Sequence, residues 1–123
     1  MALTVTDFDS ALPYRMIVES DCGNTAQVAV RGACVLHMIE ISGNNVGEVS
    51  VKLCDSVAAT AGTTVPKLIL YCRQNTDVAI TIPGAGLPFD TGLSFFLTAT
   101  PGVSGTAYSD DGAQAVLVKI TTT

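Results

Sequence analysis

The stretch EVSVKL at residues 48–53 alternates polar and apolar side chains with a period of two. Successive side chains of a β-strand point to opposite faces, so this period predicts a strand with one face in a hydrophobic core. The stretch DVAITI at residues 77–82 repeats the pattern. Both stretches are predicted to be half-buried strands, whereas helical periodicity is nearly absent along the chain.

Further strands are predicted where β-branched and aromatic residues concentrate. These segments are residues 14–19, 27–41, 68–73, 93–100 and 114–121. The segment 27–41 changes phase, because its apolar residues fall on even numbers up to Leu36 and on odd numbers from Ile39. One extra residue near Met38 would reverse the facing of the strand, so we predict a β-bulge there. Gly32 marks a second expected irregularity, where the strand bends.

Clusters of turn-forming residues separate these strands. They lie at residues 20–25, 42–47, 58–64, 83–92 and 101–112. Seven or eight short strands with this spacing predict an all-β fold, an antiparallel β-sandwich for which a jelly roll is one arrangement. A length of 123 residues fits a single domain, residues 1–123, in which residues 1–12 are an extended N-terminal arm.

Composition narrows the class of protein and of partner. Hydrophobic residues make up 48% and charged residues 14%, a balance that favours a packed domain over disorder. The net charge of −5, from six basic and eleven acidic residues, would repel a phosphate backbone, so no nucleic-acid partner is expected. No apolar run approaches the roughly 20 residues that cross a bilayer, and residues 1–10 lack a basic, apolar signal region. We therefore expect no membrane partner and synthesis in a cytoplasm.

The cysteines do not suggest a metal site. Cys22, Cys34, Cys54 and Cys72 are spaced far more widely than the close pairs of structural zinc sites. A reducing cytosol argues against disulfides, so we expect small buried or half-buried thiols.

Catalytic motifs are not evident either. The single histidine, His37, lies within a predicted strand and is interpreted as a structural residue. The acids Asp110 and Asp111 are adjacent, so their side chains diverge and do not form a calcium loop. We predict no catalytic residue, no metal, no cofactor and no enzymatic activity.

The alternation leaves three apolar residues facing away from the predicted core. Phe96 is opposite in phase to its neighbours in the segment 93–100, Leu117 is opposite to Val116 and Val118, and Ile17 is opposite to its own neighbours. Such residues need a second cover, because large exposed apolar patches are uncommon on monomers. Loops that fold back and a neighbouring subunit are both open as the source of that cover.

The block from residue 48 to residue 106 carries the elements GTTVP at 62–66 and GLPFDTGLS at 86–94 between its strands. In this order of features the chain resembles small β-rich structural proteins of tailed bacteriophages, including head decoration or cement proteins. The resemblance implies a virion protein, made in the bacterial host cytoplasm, that binds the major capsid protein on the outer capsid surface and stabilises the head. Such proteins are often dimers or trimers, so self-association is expected.

Three segments are the candidate interface: the arm 1–12 and the loops 55–66 and 83–92. Apolar residues in them are the candidate anchors, namely Phe8, Leu12, Leu87 and Phe89, although Phe89 would equally plug the end of the sandwich. Ile17, Phe96 and Leu117 complete the predicted set. A receptor- or carbohydrate-binding module of a tail fibre is the alternative function, disfavoured by an aromatic content of 6%. An enzyme built around His37 is a third.

Overall fold

The computed structural model describes residues 3–7, 14–20, 22–42, 47–99 and 116–123. These residues form ten strands and no helix. The strands are β1 (Leu3–Asp7), β2 (Arg15–Glu19), β3 (Gln27–Arg31), β4 (Cys34–Ser42), β5 (Val49–Asp55), β6 (Leu68–Cys72), β7 (Val78–Thr81), β8 (Leu87–Phe89), β9 (Gly92–Thr98) and β10 (Leu117–Thr122).

Two antiparallel sheets contain all ten strands. The six-stranded sheet has the order β1-β2-β10-β4-β7, and β8 also pairs with β4. The four-stranded sheet has the order β3-β9-β5-β6. The predicted all-β sandwich is confirmed.

The number of strands exceeds the predicted seven or eight because two strands lie in segments predicted otherwise and because the predicted strand at 27–41 is two strands, β3 and β4. β1 falls within the predicted N-terminal arm and pairs with β2. β8 falls within the predicted turn 83–92 and pairs with β4. β8 has three residues and contains Pro88, so it has no strand pattern of its own. β1 alternates apolar and polar residues but is only five residues long, and the arm prediction for residues 1–12 overlooked that alternation.

The core lies between the sheets and is made of aliphatic and aromatic side chains contributed by both. Its fully buried members include Ile39 and Ile41 of β4, Val51 and Leu53 of β5, and Phe95 of β9. Burying a side chain of this size stabilises a fold by about 1.5–3 kcal/mol. The alternation in the sequence therefore marks the side chains that hold the sheets together.

The phase change in β4 is a β-bulge. Thr121 pairs with Met38 and Thr122 pairs with Leu36, so His37 is the extra residue between them. The predicted bulge near Met38 is confirmed. Gly32 has a φ of 129°, which favours glycine, and it lies where the chain leaves β3 in one sheet for β4 in the other. The predicted irregularity at Gly32 is confirmed, but the single strand predicted over residues 27–41 is wrong, because β3 and β4 are separate strands in different sheets.

The strand predicted at residues 48–53 is confirmed within β5, but the prediction that it is half-buried is wrong. Ser50 and Lys52 of β5, predicted to face solvent, are fully buried in the isolated chain. They pair with Thr98 and Phe96 of β9, which are also fully buried. Phe96 faces away from the inter-sheet core as predicted, and the chain itself covers it, so no neighbouring subunit is required there.

The predicted facing of Ile17 is also wrong. Ile17 is fully buried in the inter-sheet core, where it pairs with Ile120 of β10. Its neighbours Met16 and Val18 are the residues on the outer, half-buried face. The short strand has apolar residues on both faces, so alternation alone did not determine which face is inside. Leu117 is half-buried and lies opposite in phase to the buried Val118, as predicted.

Candidate interaction surface

Two of the three predicted interface segments meet at the end of β5. Asp55 is the last residue of β5, and its Oδ2 accepts the backbone N–H of Asp90 at 3.0 Å. Its Oδ1 accepts the N–H groups of Thr91 at 2.8 Å and Gly92 at 3.3 Å. One carboxylate therefore holds the turn between β8 and β9 against the loop that follows β5.

These hydrogen bonds alter the acidity of Asp55. The backbone N–H groups of Asp90 and Thr91 favour the ionised carboxylate, and Gly92 and the Lys67 ammonium add to the effect. Together they hold the pKa of Asp55 below its usual range. The Asp55 carboxyl group is therefore ionised at neutral pH.

Ser56 continues the same junction. Its backbone N–H donates to the carbonyl of Gly92 at 3.1 Å, and its carbonyl accepts a hydrogen bond from the hydroxyl of Ser94. Its own hydroxyl accepts the N–H of Ala58 at 2.9 Å. Hydrogen bonds therefore fix the start of the loop 55–66 to β9, and one further hydrogen bond within the loop joins Ser56 to Ala58.

Lys67 makes a second link between the two loops. Its backbone N–H donates to the carbonyl of Leu53 at 2.7 Å, which positions the residue beside β5. Its ammonium donates to the carbonyl of Pro88 and lies 5.2 Å from the centroid of the Phe89 ring. A cation at this distance is attracted by the ring face. We call the loops 55–67 and 83–92 the loop platform. Asp55, at the start of the first loop, and Lys67, at its end, both bind residues of the second loop.

Exposed apolar side chains lie on the loop platform. Val65 has 69% of its surface exposed and Val57 has 37%. Within the loop between them, Thr60 accepts backbone hydrogen bonds from Thr63 and Thr64, and its N–H donates to the Thr64 hydroxyl at 2.8 Å. This hydrogen-bonded turn presents the two valines on backbone that is already ordered.

The residues predicted as interface anchors do not form one exposed surface. Phe89 is 1% exposed and belongs to the core, so it plugs the sandwich and is not an exposed anchor. Leu87 is half-buried and packs against the same core. Phe96 and Ile17 are fully buried, and Leu117 lies on the outer face of the other sheet. Phe8 and Leu12 lie outside the described residues.

The residues that organise the platform, Asp55 and Lys67, were not singled out in the sequence. An acid directly after a strand and before a turn-rich loop is a weak signal for a side chain that accepts backbone N–H groups. Its partners are 35 to 37 residues away in the chain. A local pattern does not identify partners at that separation.

His37 is held by two contacts. Its Nε2 lies 3.3 Å from the hydroxyl oxygen of Thr123, and its ring meets the Tyr14 ring edge-on, with centroids 5.3 Å apart. A hydroxyl and an aromatic ring fix the position of the imidazole at the β4 bulge.

The four cysteines, Cys22, Cys34, Cys54 and Cys72, are buried free thiols, as expected. Burial raises the pKa of Cys34, with the Asp55 charge adding to the effect, and burial also raises the pKa of Cys54. Across the described ranges, no three histidine, cysteine or acidic side chains converge in a way that would hold a metal ion.

An exposed aromatic residue with charged neighbours lies at the edge of the four-stranded sheet. Tyr71 of β6 is 38% exposed, and its hydroxyl is hydrogen-bonded to the side chains of Glu48 and Arg73. The hydrogen bond to Glu48 is the main cause of a raised pKa at Tyr71.

Comparisons with protein-family models, with curated proteins and with solved structures gave no match to this chain. The part of the chain that the structure describes contains no helix long and apolar enough to cross a membrane.

Proposed function

We propose that this protein is a virion structural protein of a tailed bacteriophage, a decoration protein that binds the major capsid protein on the outer surface of the head and stabilises it. The observation that carries the proposal is the loop platform, in which Asp55 holds the turn at residues 90–92 and leaves Val57 and Val65 exposed. The sequence elements GTTVP and GLPFDTGLS, on which the phage resemblance rests, lie mainly in these same loops.

A preordered platform suits a surface that docks many times on a lattice. Ordering a mobile loop on binding costs free energy, and a loop already fixed by hydrogen bonds avoids that cost. Val57 and Val65 offer a small apolar area, so one copy of the protein would bind one site on the shell with modest affinity. On a symmetric shell, however, many such contacts would act together and give high avidity.

The strand order supports the finer proposal of a jelly roll. The pair of orders β2-β10-β4-β7 and β3-β9-β5-β6 is what two interleaved Greek keys produce. Jelly rolls occur in viral capsid proteins and in lectins, so the connectivity is compatible with both candidate functions and decides between neither.

The exposed Tyr71 favours a second candidate, a carbohydrate-binding module of a tail fibre. An aromatic ring flanked by Glu48 and Arg73 combines a stacking surface with hydrogen-bonding groups. This surface lies on the sheet edge and not on the loop platform, so variants separate the two functions.

The test is to mix the purified protein with undecorated phage heads and to measure stoichiometric binding and the rupture temperature of the heads. We expect the wild-type protein to bind and to raise the rupture temperature. Val65→Lys should weaken binding at least tenfold, because it places a charge in the middle of the docking surface. Ala79→Lys introduces the same charge at an exposed site on β7 and should bind like the wild type.

Absence of binding, or binding that leaves the rupture temperature unchanged, would exclude the decoration role. Equal binding by both lysine variants would exclude the loop platform as the docking surface. Binding to host glycans that is lost in Tyr71→Ala but retained in Val65→Lys would favour the tail-fibre module.

A further inference from the structure

We propose that β1 is a self-association edge, at which the β1 strands of two copies pair antiparallel about a two-fold axis through Val5. This continues the six-stranded sheet across the pair of chains. The proposal goes beyond the decoration role and does not depend on it, because it rests on the exposure and sequence of β1 alone.

β1 leaves an apolar side chain exposed to solvent. Val5 pairs with the buried Ile17 of β2 and so faces the same side, yet 49% of its surface is exposed. Thr4 and Thr6, on the other face, are exposed as well. Leu3 is half-buried and packs against the core, so the core covers the start of β1 and leaves Val5 in solvent.

Natural sheets protect their edges with charges, prolines or very short strands. The other edge strands that the structure describes carry such features. β6 is preceded by Lys67 and followed by Arg73, β3 ends in Arg31, β8 contains Pro88, and β7 has four residues. β1 reads LTVTD and, like β3, carries its only charge at its last residue, but unlike β3 it exposes an apolar side chain, Val5. It is the described edge that is most open to another strand.

The sequence of β1 is complementary to itself when it is reversed. With the two-fold axis at Val5, Val5 lies opposite Val5 of the second copy, and Thr4 lies opposite Thr6. Thr–Thr and β-branched pairs are favourable cross-strand neighbours. The acidic Asp7 lies opposite Leu3 and not opposite a second Asp7, so the register brings no like charges together. A second copy of the chain is therefore the partner that this edge fits.

The pairing of two five-residue strands is a small interface. It buries far less than the roughly 800 Å² per partner of a standard stable complex. We therefore expect a weak dimer in solution, with a dissociation constant in the micromolar range or above. On an ordered shell, where neighbours are held close together, the same edge would add to avidity.

Cross-linking tests the register directly. The four native cysteines are buried, so a new cysteine on β1 is the reactive thiol. Directly opposite residues have Cβ atoms roughly 4.5–5.5 Å apart, close to the span of a disulfide. Val5→Cys should form a disulfide-linked dimer under mild oxidation, whereas Thr4→Cys and Thr6→Cys should do so only when mixed with each other.

Sedimentation tests the association without cross-links. The wild-type protein should dimerise with rising concentration, and Val5→Lys should weaken that association at least tenfold, because two ammonium groups would meet at the axis. Val5 is half exposed, so Val5→Lys should unfold at nearly the wild-type temperature. A wild-type protein that stays monomeric at millimolar concentration would overturn the proposal. So would Thr4→Cys cross-linking alone as fast as Val5→Cys. Neither outcome affects the head-binding test.

Discussion

The Oδ1 atom of Asp55 lies 2.8 Å from the backbone nitrogen of Thr91, a residue 36 positions further along the chain. The contact ties the end of β5 to the turn that precedes β9. Because the same carboxylate also accepts the N–H of Asp90, it satisfies backbone donors of a turn that has no sheet partner of its own. The shape of the turn at residues 90–92 therefore depends on the Asp55 side chain.

Asp55→Asn should loosen the turn at residues 90–92 without unfolding the sandwich. An amide offers one acceptor oxygen where the carboxylate uses two, and it is uncharged, so the remaining hydrogen bonds are weaker. We expect hydrogen exchange at the amides of Asp90 and Thr91 to accelerate severalfold, while exchange in β5 and β9 is unchanged. Asp77→Asn, at another exposed acid, is the control. Equal exchange rates in both variants would contradict this role.

Acid should release the same turn. The pKa of Asp55 is lower in the folded protein than in the unfolded chain, where a free Asp titrates near about 3.9. The unfolded state therefore binds the proton first, and the stability from this carboxylate is present above about pH 4 and is lost as pH falls through the folded pKa. The difference in unfolding free energy between wild type and Asp55→Asn should be constant from neutral pH to about pH 5 and should shrink below pH 4. A difference that does not change with pH would exclude the charged hydrogen bonds as its source.

Gly92→Ala should destabilise the fold by about 1–3 kcal/mol through overpacking. A Cβ on Gly92 would lie 2.7 Å from the carbonyl oxygen of Val30 and 2.6 Å from Cγ1 of Val57. The Val57 side chain can be shortened, whereas the Val30 backbone belongs to β3 and cannot move freely. Chemical denaturation should therefore show partial recovery when Val57→Ala is added to Gly92→Ala, although Val57→Ala alone should have little effect. Full recovery, or no loss in Gly92→Ala, would contradict the close approach to β3.

The elements predicted best are those whose pattern is set by one buried face. β4 is an example, because the change from Leu36 to Ile39 along the sequence shows the bulge at His37 directly. β8 was missed because it has three residues, contains a proline and is defined by its pairing with β4. β1 was missed although LTVTD alternates, because five residues next to the N-terminus give a weak pattern and the strand is defined by its pairing with β2.

The sequence predicted less well which side chains point into the core where both faces of a strand are buried or half-buried. In β5 the polar Ser50 and Lys52 suggested a solvent face, but that face is buried by the rest of the chain. In β2 the flanking Met16 and Val18 outnumbered Ile17, and the true inner face also carries Glu19, a polar residue that alternation assigns to solvent. The identity of the covering layer is a property of the whole fold, which local alternation does not contain.

Phe96→Ala tests that second buried layer. Phe96 has no exposed surface in a single chain, although it faces away from the inter-sheet core. Truncation of a fully buried phenylalanine costs about 3–5 kcal/mol. Denaturation of dilute, monomeric protein should give a loss in this range for Phe96→Ala, similar to that for Phe95→Ala in the main core. Tyr71→Ala, at an exposed site on the same sheet face, should cost much less. A loss below about 1 kcal/mol in Phe96→Ala would mean that a second subunit supplies the cover, since substitutions at solvent-facing sites give small losses.

The thiols give an independent measure of how well both layers exclude water. Cys34 lies in the inter-sheet core and Cys54 lies beside Lys52 on the other face of the four-stranded sheet, and burial raises the pKa of both. A thiol reacts as its thiolate, so Cys34 and Cys54 should react slowly. The raised pKa leaves little thiolate at each residue, and burial limits the access of the reagent. At pH 8 we expect an aromatic disulfide reagent to modify the native protein only at the rate of local opening, and to modify four thiols per chain rapidly in denaturant. A rapid phase of one thiol in the native protein would show that one layer is open. Because Cys34 lies in the inter-sheet core and Cys54 lies in the second buried layer, identifying the modified cysteine by mass would show which of the two layers is open.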